Sequence, residues 1–202
     1  GYFLMVESGR IDHGHHAGSA NYALNDTIEF ANAVQTAVDN TDPKDTLIIV
    51  TADHSHVFTI AGYPTRGNPI LGKVVGNDSA GNSTGTPATA LDGFNYTTLG
   101  YANGLGFAED LPGDAIYGAG DADNTRHDLS AVDTAALGYH QEALVPLGSE
   151  THAGEDVAVY ASGPYAHLFH KTHEQHYIYH VMRHAANLFP SSDIRNKLLA
   201  NW

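Results

Sequence analysis

Three short apolar runs along the chain predict the strands of a protein core. The run at residues 3–6, Phe-Leu-Met-Val, is continuous and uncharged, a pattern typical of a strand buried on both faces. The run at 46–51, Thr-Leu-Ile-Ile-Val-Thr, is rich in β-branched residues and is the strongest strand pattern in the chain. A third run, at 156–161, predicts a third core strand.

Helical spacing of apolar residues follows the first and the third runs. A Gly/His-rich turn is expected after residue 7, and an amphipathic helix of about five turns then carries one apolar face: Leu24, Ile28, Ala31, Val34 and Val38. A last helix is predicted at 172–188, with a second apolar face: Ile178, Val181, Met182, Ala185 and Phe189. The order strand, helix, strand predicts a right-handed parallel crossover and an α/β fold.

The stretch between residues 62 and 149 differs in composition from the rest of the chain. Gly, Asn, Asp, Thr and Ala accumulate there, and the only candidate strands lie at 96–101 and 144–147. A loop of this length is unusual inside a compact domain, so a separate surface lobe is expected. The predicted organisation is a core from 1–61 and 150–190, an insertion at 62–149 and a tail at 191–202.

Composition narrows the classes of partner. The chain has 23 acidic and 9 basic side chains and a net charge of -14, which disfavours nucleic acid and anionic membranes and favours divalent cations. It has no cysteine, so oxygen and imidazole must hold any metal. No apolar run approaches the roughly 18 residues of a membrane span, and no signal-peptide pattern is visible. The chain opens on an apolar strand without Met, which suggests a fragment or a processed piece.

Acidic and histidine side chains follow the first two predicted strands directly. They are Glu7, Asp12 and His16 after the first, and Asp53, His54 and His56 after the second. Both sets are expected at the carboxyl edge of a parallel sheet, where they should meet. Carboxylate and imidazole ligands suit zinc, cobalt or manganese, and the lone glutamate suits magnesium.

Other interpretations apply to several of these polar residues. An Asp-His pair is often only a hydrogen-bonded loop feature, and Ser19 and Ser55 lie outside any nucleophile elbow, so local capping is expected of them. A second group of histidines shares one face of the last predicted helix: His173, His176, His180 and His184. A metal could bind two of them at i, i+4, but a solvated or partner-facing helix is the favoured interpretation.

Three motifs, in this order, resemble the carboxyl-terminal half of alkaline phosphatases of the animal and marine-bacterial type. They are Val-Glu-Ser-Gly-Arg-Ile-Asp-His-Gly-His-His at 6–16, Val-Thr-Ala-Asp-His-Ser-His at 50–56 and Glu-Thr-His-Ala-Gly-Glu-Asp-Val at 150–157. Further matches at 62–69 and 163–167 extend the resemblance to nearly the whole chain. The resemblance implies a three-layer sandwich with a mostly parallel central sheet, and it makes 62–149 a crown insertion at a homodimer interface.

The resemblance also implies a role for each candidate residue. It assigns Asp12, His16 and His152 to a first zinc, Asp53 and His54 to a second zinc, Glu7 to magnesium, His56 to a supporting position beside the first zinc, and His13 to the phosphate side or its water network. The implied reaction is hydrolysis of phosphomonoesters at alkaline pH through a phosphoserine, in the periplasm or outside the cell.

The nucleophilic serine of that reaction has no match in these residues. In the family it belongs to the amino-terminal half, so the chain is expected to act together with that half. Related phosphodiesterases and sulfatases share the Asp-x3-His and Asp-His patterns, but Glu7 and the sequence around His152 favour a phosphatase. A non-catalytic zinc-binding protein is the alternative if the chain is complete.

Overall fold

A computed structural model describes residues 1–107 and 126–188, which divide into two compact units. The first unit contains Gly1–Ala31 and His54–Glu155, and the second contains Asn32–Asp53 and the chain from Asp156 onwards. The helices are α1 (Arg10–His16), α2 (Ala20–Asp39) and α3 (Tyr177–Ala185). The strands are β1 (Ile48–Val50), β2 (Ser55–His56), β3 (Phe58–Ile60), β4 (Val75–Asn77), β5 (Ser83–Pro87), β6 (Leu99–Gly104), β7 (Ala143–Pro146), β8 (His152–Ala153) and β9 (Tyr160–Ser162).

The main sheet of the first unit has β6 at its centre. Strand β3 pairs antiparallel with one side of β6, and β7 pairs parallel with the other. Leu99 and Tyr101 alternate along β6 and are buried in the core with Leu129. The two strands predicted in the central stretch are therefore present, although β6 begins three residues later than the pattern indicated, at Leu99 rather than at residue 96.

Helix α2 confirms the long helix predicted after the Gly/His-rich segment, and its first turn is anchored in the core. Ala20 and Ala23 are buried, whereas Ile28 and Val38 on the predicted apolar face are 57% and 45% exposed. The amide of Ala20 donates to Oε1 of Gln141 at 2.5 Å, and Gln141 itself is only 1% exposed. Gln141 therefore satisfies one of the amides that every helix leaves unpaired at its start. Neither α2 nor any other described helix is long and apolar enough to cross a membrane.

Replacing Gln141 tests this anchor. We expect Gln141→Ala to lower the free energy of unfolding by about 1–3 kcal/mol, because the buried Ala20 amide loses its acceptor. Urea denaturation of the variant and the parent protein measures the change. Gln35→Ala is the matched control. Gln35 lies on α2 itself, and its side chain donates an exposed hydrogen bond to Asp39. Equal losses of stability in the two variants would contradict the anchoring role.

The second unit is built around β1 and β9. The strands pair antiparallel, with Ile49 opposite Ala161, and the turn after β9 places Gly163 against the carbonyl of Thr46. The prediction of a strand at 46–51 is confirmed, but the third strand begins at Tyr160 rather than at residue 156. The predicted parallel crossover between residues 3–6 and 46–51 is not found among the described residues, because residues 3–6 form no strand and β1 pairs antiparallel with β9 instead.

Two sequence predictions need correction. Residues 3–6 form no strand, and Phe3, Leu4 and Met5 are 74%, 72% and 76% exposed. An extended segment becomes a strand only when a neighbour pairs with its backbone, and among the described residues none does. The last helix begins at Tyr177 instead of residue 172, after a turn in which the Tyr177 amide donates to Glu174. Val181 is its buried residue, and Phe189 lies outside the described residues.

Candidate metal centre

Helix α1 places Asp12 and His16 on one face. The sequence predicts a turn here, because Gly and His are poor helix formers, but the structure has a helix of seven residues. Packing accounts for the difference: Gly14 is buried, and a methyl group added to it would lie 2.7 Å from the Ala23 amide nitrogen of α2. The i, i+4 spacing brings His16 Nε2 to 3.2 Å from Asp12 Oδ1.

Two short strands bring three further histidines to the same carboxylate. Strands β2 and β8 pair antiparallel with His56 directly opposite His152, and His54 lies two residues before His56. The Nε2 atoms of His54, His56 and His152 lie 3.9, 3.1 and 3.4 Å from Asp12 Oδ1. The pairing of β2 with β8 therefore joins residues that are almost a hundred positions apart in the sequence.

The chemistry of this cluster fits a bound cation. Asp12 Oδ1 is buried and accepts no hydrogen bond from the residues that the structure describes. A buried carboxylate oxygen that accepts no hydrogen bond is costly, and a cation coordinated by that oxygen and the surrounding imidazoles would remove the cost. In the part of the chain that the structure describes, two groups of side chains have ligand atoms close enough together to hold an ion: Asp12, His54, His56 and His152, and a second formed by His16, His56 and Glu150.

Glu150 supports the cluster from behind. Its carboxylate accepts hydrogen bonds from His56 Nδ1 at 2.7 Å and from the Val57 amide at 2.8 Å. Its backbone carbonyl accepts one from His16 Nδ1 at 2.6 Å. Glu150 is not among the residues predicted from the sequence, because its only signal is its place two positions before His152 in a motif that is recognisable only as a whole.

A further aromatic layer closes the inner side of the cluster. The His15 ring stacks on His56 with centroids 4.6 Å apart, and His15 Nδ1 lies 2.8 Å from the Tyr101 hydroxyl. Burial, together with the neighbouring His56, lowers the pKa of His15 to about 4. Burial likewise raises the pKa of the Tyr101 hydroxyl. Both groups are neutral near pH 7, so this side adds no net charge to the cluster.

The opposite side of the cluster is open to solvent. The side chain of Glu150 is 0% exposed, that of His56 is 8% exposed and that of His152 is 49% exposed. His152 stacks on His54 with ring centroids 3.5 Å apart, so these two rings form the outer edge. A ligand from solution would therefore approach a bound metal from the side of His152.

Among the described residues, the other predicted site residues belong to neither possible metal-holding group. Glu7 is exposed, and His13 is exposed with its Nδ1 3.2 Å from a guanidinium nitrogen of Arg10. Asp53 belongs to the second unit, although it directly precedes His54. The roles predicted for these three residues stay predictions.

The remaining polar residues singled out in the sequence are two serines and four histidines. Ser19 accepts a bond from the Tyr22 amide in the first turn of α2, as capping predicts. Ser55 caps no helix: it lies in β2 and donates to Glu155, which is distant in the sequence, at 2.6 Å. The four histidines of the last predicted helix are all exposed: His173, His176, His180 and His184. Within the described ranges, neither possible metal-holding group includes any of the four. The interpretation of a solvated or partner-facing helix is the one that fits.

Comparison with known proteins gives a consistent result. A family model for alkaline phosphatase matches residues 1–188. The chain is 47% identical over 191 residues to the tissue-nonspecific alkaline phosphatase isozyme of Gallus gallus, a match that covers 95% of this chain and 32% of the relative. The corresponding isozymes of Rattus norvegicus and Homo sapiens are 45% and 44% identical over 186 residues, which is 92% of this chain and 31% of each relative.

The chain thus spans about a third of the length of these relatives. The family model nevertheless covers nearly all of it, including all the residues that surround Asp12. The family also carries the α/β fold class predicted from the alternation of strands and helices. On this coverage, the chain belongs to the alkaline phosphatase family.

Proposed function

We propose that the protein hydrolyses phosphomonoesters at alkaline pH in a metal-dependent reaction, and that this chain supplies one wall of the active site. The observation that carries the proposal is the buried oxygen of Asp12, which faces four imidazole nitrogens and accepts no hydrogen bond from the described residues. Membership of the alkaline phosphatase family and relatives named alkaline phosphatases support the same reaction.

Within this proposal the metals are two zinc ions and one magnesium ion. Asp12, His16 and His152 would hold the first zinc, which their mutual distances of 3.1–3.4 Å support. Asp53 and His54 would hold the second zinc, and Glu7 the magnesium. When bound, zinc lowers the pKa of an oxygen nucleophile and stabilises the charge that develops on a leaving oxygen.

The residues of this chain would then orient the bound metals and balance their charge. Asp12 would offset part of the positive charge of the first zinc, and His56, whose Nε2 lies 3.1 Å from Asp12 Oδ1, would take the supporting position beside that zinc. His13 would contribute to the water network on the phosphate side. Because the chain carries a net charge of -14, an anionic phosphate ester is repelled except where bound cations reverse the local sign. Substrate binding should therefore depend on the metals.

The reaction also needs groups from outside these residues. We propose a phosphoserine intermediate whose serine comes from the amino-terminal half of the same enzyme. The exposed apolar surface at Phe3, Leu4 and Met5 and along α2 at Ile28 supports such a partner, since exposed apolar patches are typical of interfaces. We further propose a complete domain with a mostly parallel, three-layer architecture, a crown formed by 62–149, a homodimer, and a periplasmic or extracellular location.

Substrate choice and metal content test the function together. The complete enzyme, with its amino-terminal half, is assayed on p-nitrophenyl phosphate, on a phosphate diester and on a sulfate ester. We expect the monoester to react fastest, the activity to be lost in EDTA and to return with zinc, and about two zinc ions and one magnesium per site. A preference for the diester or the sulfate ester, or turnover that survives metal removal, would refute the proposal.

A further inference from the structure

We propose that Glu150 is a positioning residue that keeps the ring proton of His16 and His56 on Nδ1, so that the Nε2 of each ring faces the metal centre without a proton. This inference rests on the proposed function, because it concerns the same metal centre. Glu150 is 1% exposed, and its side chain and backbone together make four hydrogen bonds within the site.

The ring nitrogens of His16 and His56 carry their protons at defined positions. His56 Nδ1 lies 2.7 Å from a carboxylate oxygen and His16 Nδ1 lies 2.6 Å from a carbonyl oxygen, both belonging to Glu150. Both oxygens accept hydrogen bonds and cannot donate them, so each Nδ1 must carry the proton. In a neutral ring the lone pair then lies on Nε2, which is the atom that faces Asp12 in both histidines.

Glu150 is itself held in place by further hydrogen bonds. The second carboxylate oxygen accepts from the Val57 amide at 2.8 Å, and the Glu150 amide donates to the His16 carbonyl at 3.0 Å. The side chain is therefore tied at both oxygens, and the backbone is tied to the end of α1. Because Glu150 also leads directly into β8, it fixes the entry of the strand that carries His152.

The two histidines should therefore respond differently to a substitution of Glu150. His56 depends on the Glu150 side chain, whereas His16 depends on its backbone carbonyl, which any substitution retains. In Glu150→Gln, the oxygen of the new side-chain amide is expected to accept the hydrogen bond of the Val57 amide. The NH2 group of the same side chain then points towards His56 Nδ1. Two donors would then face each other, so His56 must shift its proton to Nε2 and point it into the site, where it opposes a cation.

The test uses the complete enzyme with ¹⁵N-labelled histidine, metal-free and zinc-loaded. In metal-free Glu150→Gln we expect the His56 ring to change tautomer while His16 does not, as read from ¹⁵N shifts. We expect zinc affinity, measured by chelator competition, to fall about 10–100-fold, as is usual when a residue behind a ligand is lost. Glu155→Gln is the matched control, because Glu155 is an exposed carboxylate near the end of the same segment, and it should leave both readouts unchanged.

The outcomes separate this inference from the proposed function. If the variant keeps the parent tautomers and a zinc affinity within about twofold of the parent, Glu150 has no positioning role even if the parent is an active phosphatase. A fall in thermal stability with both readouts unchanged would likewise overturn it, as a purely structural contact. If the parent binds zinc but hydrolyses no phosphomonoester, the function fails while the tautomer result still decides the role of Glu150.

Discussion

Asp12→Asn should remove one zinc ion per active site and lower turnover of a phosphomonoester by roughly a thousandfold. The variant keeps the shape of the side chain but loses its negative charge. Asp12 Oδ1 lies within 3.1–3.9 Å of four imidazole nitrogens, so it is a carboxylate oxygen on which four histidines converge. An amide in its place leaves neutral imidazoles without the charge that a divalent ion requires.

Two quantities are measured: the zinc content, by elemental mass spectrometry, and the rate of hydrolysis of p-nitrophenyl phosphate. Asp39→Asn provides the matched control, because Asp39 is an exposed aspartate at the end of α2 whose contact is with Gln35. It should retain full zinc and full activity. If Asp12→Asn kept the zinc content of the parent, Asp12 would not be a ligand and the proposed first zinc site would be wrong.

Gly14→Ala should lower the free energy of unfolding by about 1–3 kcal/mol and weaken zinc binding at the same time. The added methyl group would lie 2.7 Å from the Ala23 amide nitrogen and 3.1 Å from the Ala23 Cα, so α1 and α2 would have to move apart. These contacts are with backbone, which cannot rotate away as a long side chain could. Since Asp12 and His16 lie on α1, the shift would also displace two of the proposed ligands.

Thermal unfolding in EDTA measures the stability of the metal-free protein, which depends on the packing of α1 on α2. Chelator competition measures the zinc affinity. Gly76→Ala is the control, because a methyl group there meets no atom within 4 Å and the backbone has no positive φ. Its stability should stay within about 1 kcal/mol of the parent. If Gly14→Ala matched Gly76→Ala in both measurements, close packing of α1 on α2 would not explain why the Gly/His-rich segment is helical.

Part of the site could be found from residue types and spacing. The two clusters after residues 6 and 50 were expected to meet, and Asp12 does lie beside His54 and His56. The elements that bring the two clusters together differ from those predicted. The edge of a parallel sheet was predicted, whereas the structure uses a helix and an antiparallel pair of two-residue strands. Such short elements leave no periodic pattern in the sequence.

Other features could not be predicted from local pattern at all. Glu150 gave no signal of its own, because a single glutamate in a loop is usually solvated. Its burial at 1% exposure and its bonds to two histidines arise only when β8 pairs with β2. His152 came from the resemblance alone, since its partner His56 is far away in the sequence. The exposed run that contains Phe3 shows the opposite case, in which a strand pattern has no pairing partner among the described residues.

The sequence by itself determined the chemistry of this protein: oxygen and imidazole ligands without thiols, an acidic surface, long helix α2, the strand at Ile48–Val50 and membership of one family. Tertiary structure decided which of these groups meet. It made α1 a helix through packing at Gly14, brought His152 to His56 and placed Glu150 behind both histidines. The physical reason is that residue type sets what a side chain can bind, whereas burial and hydrogen bonding between distant segments set where its ligand atom points.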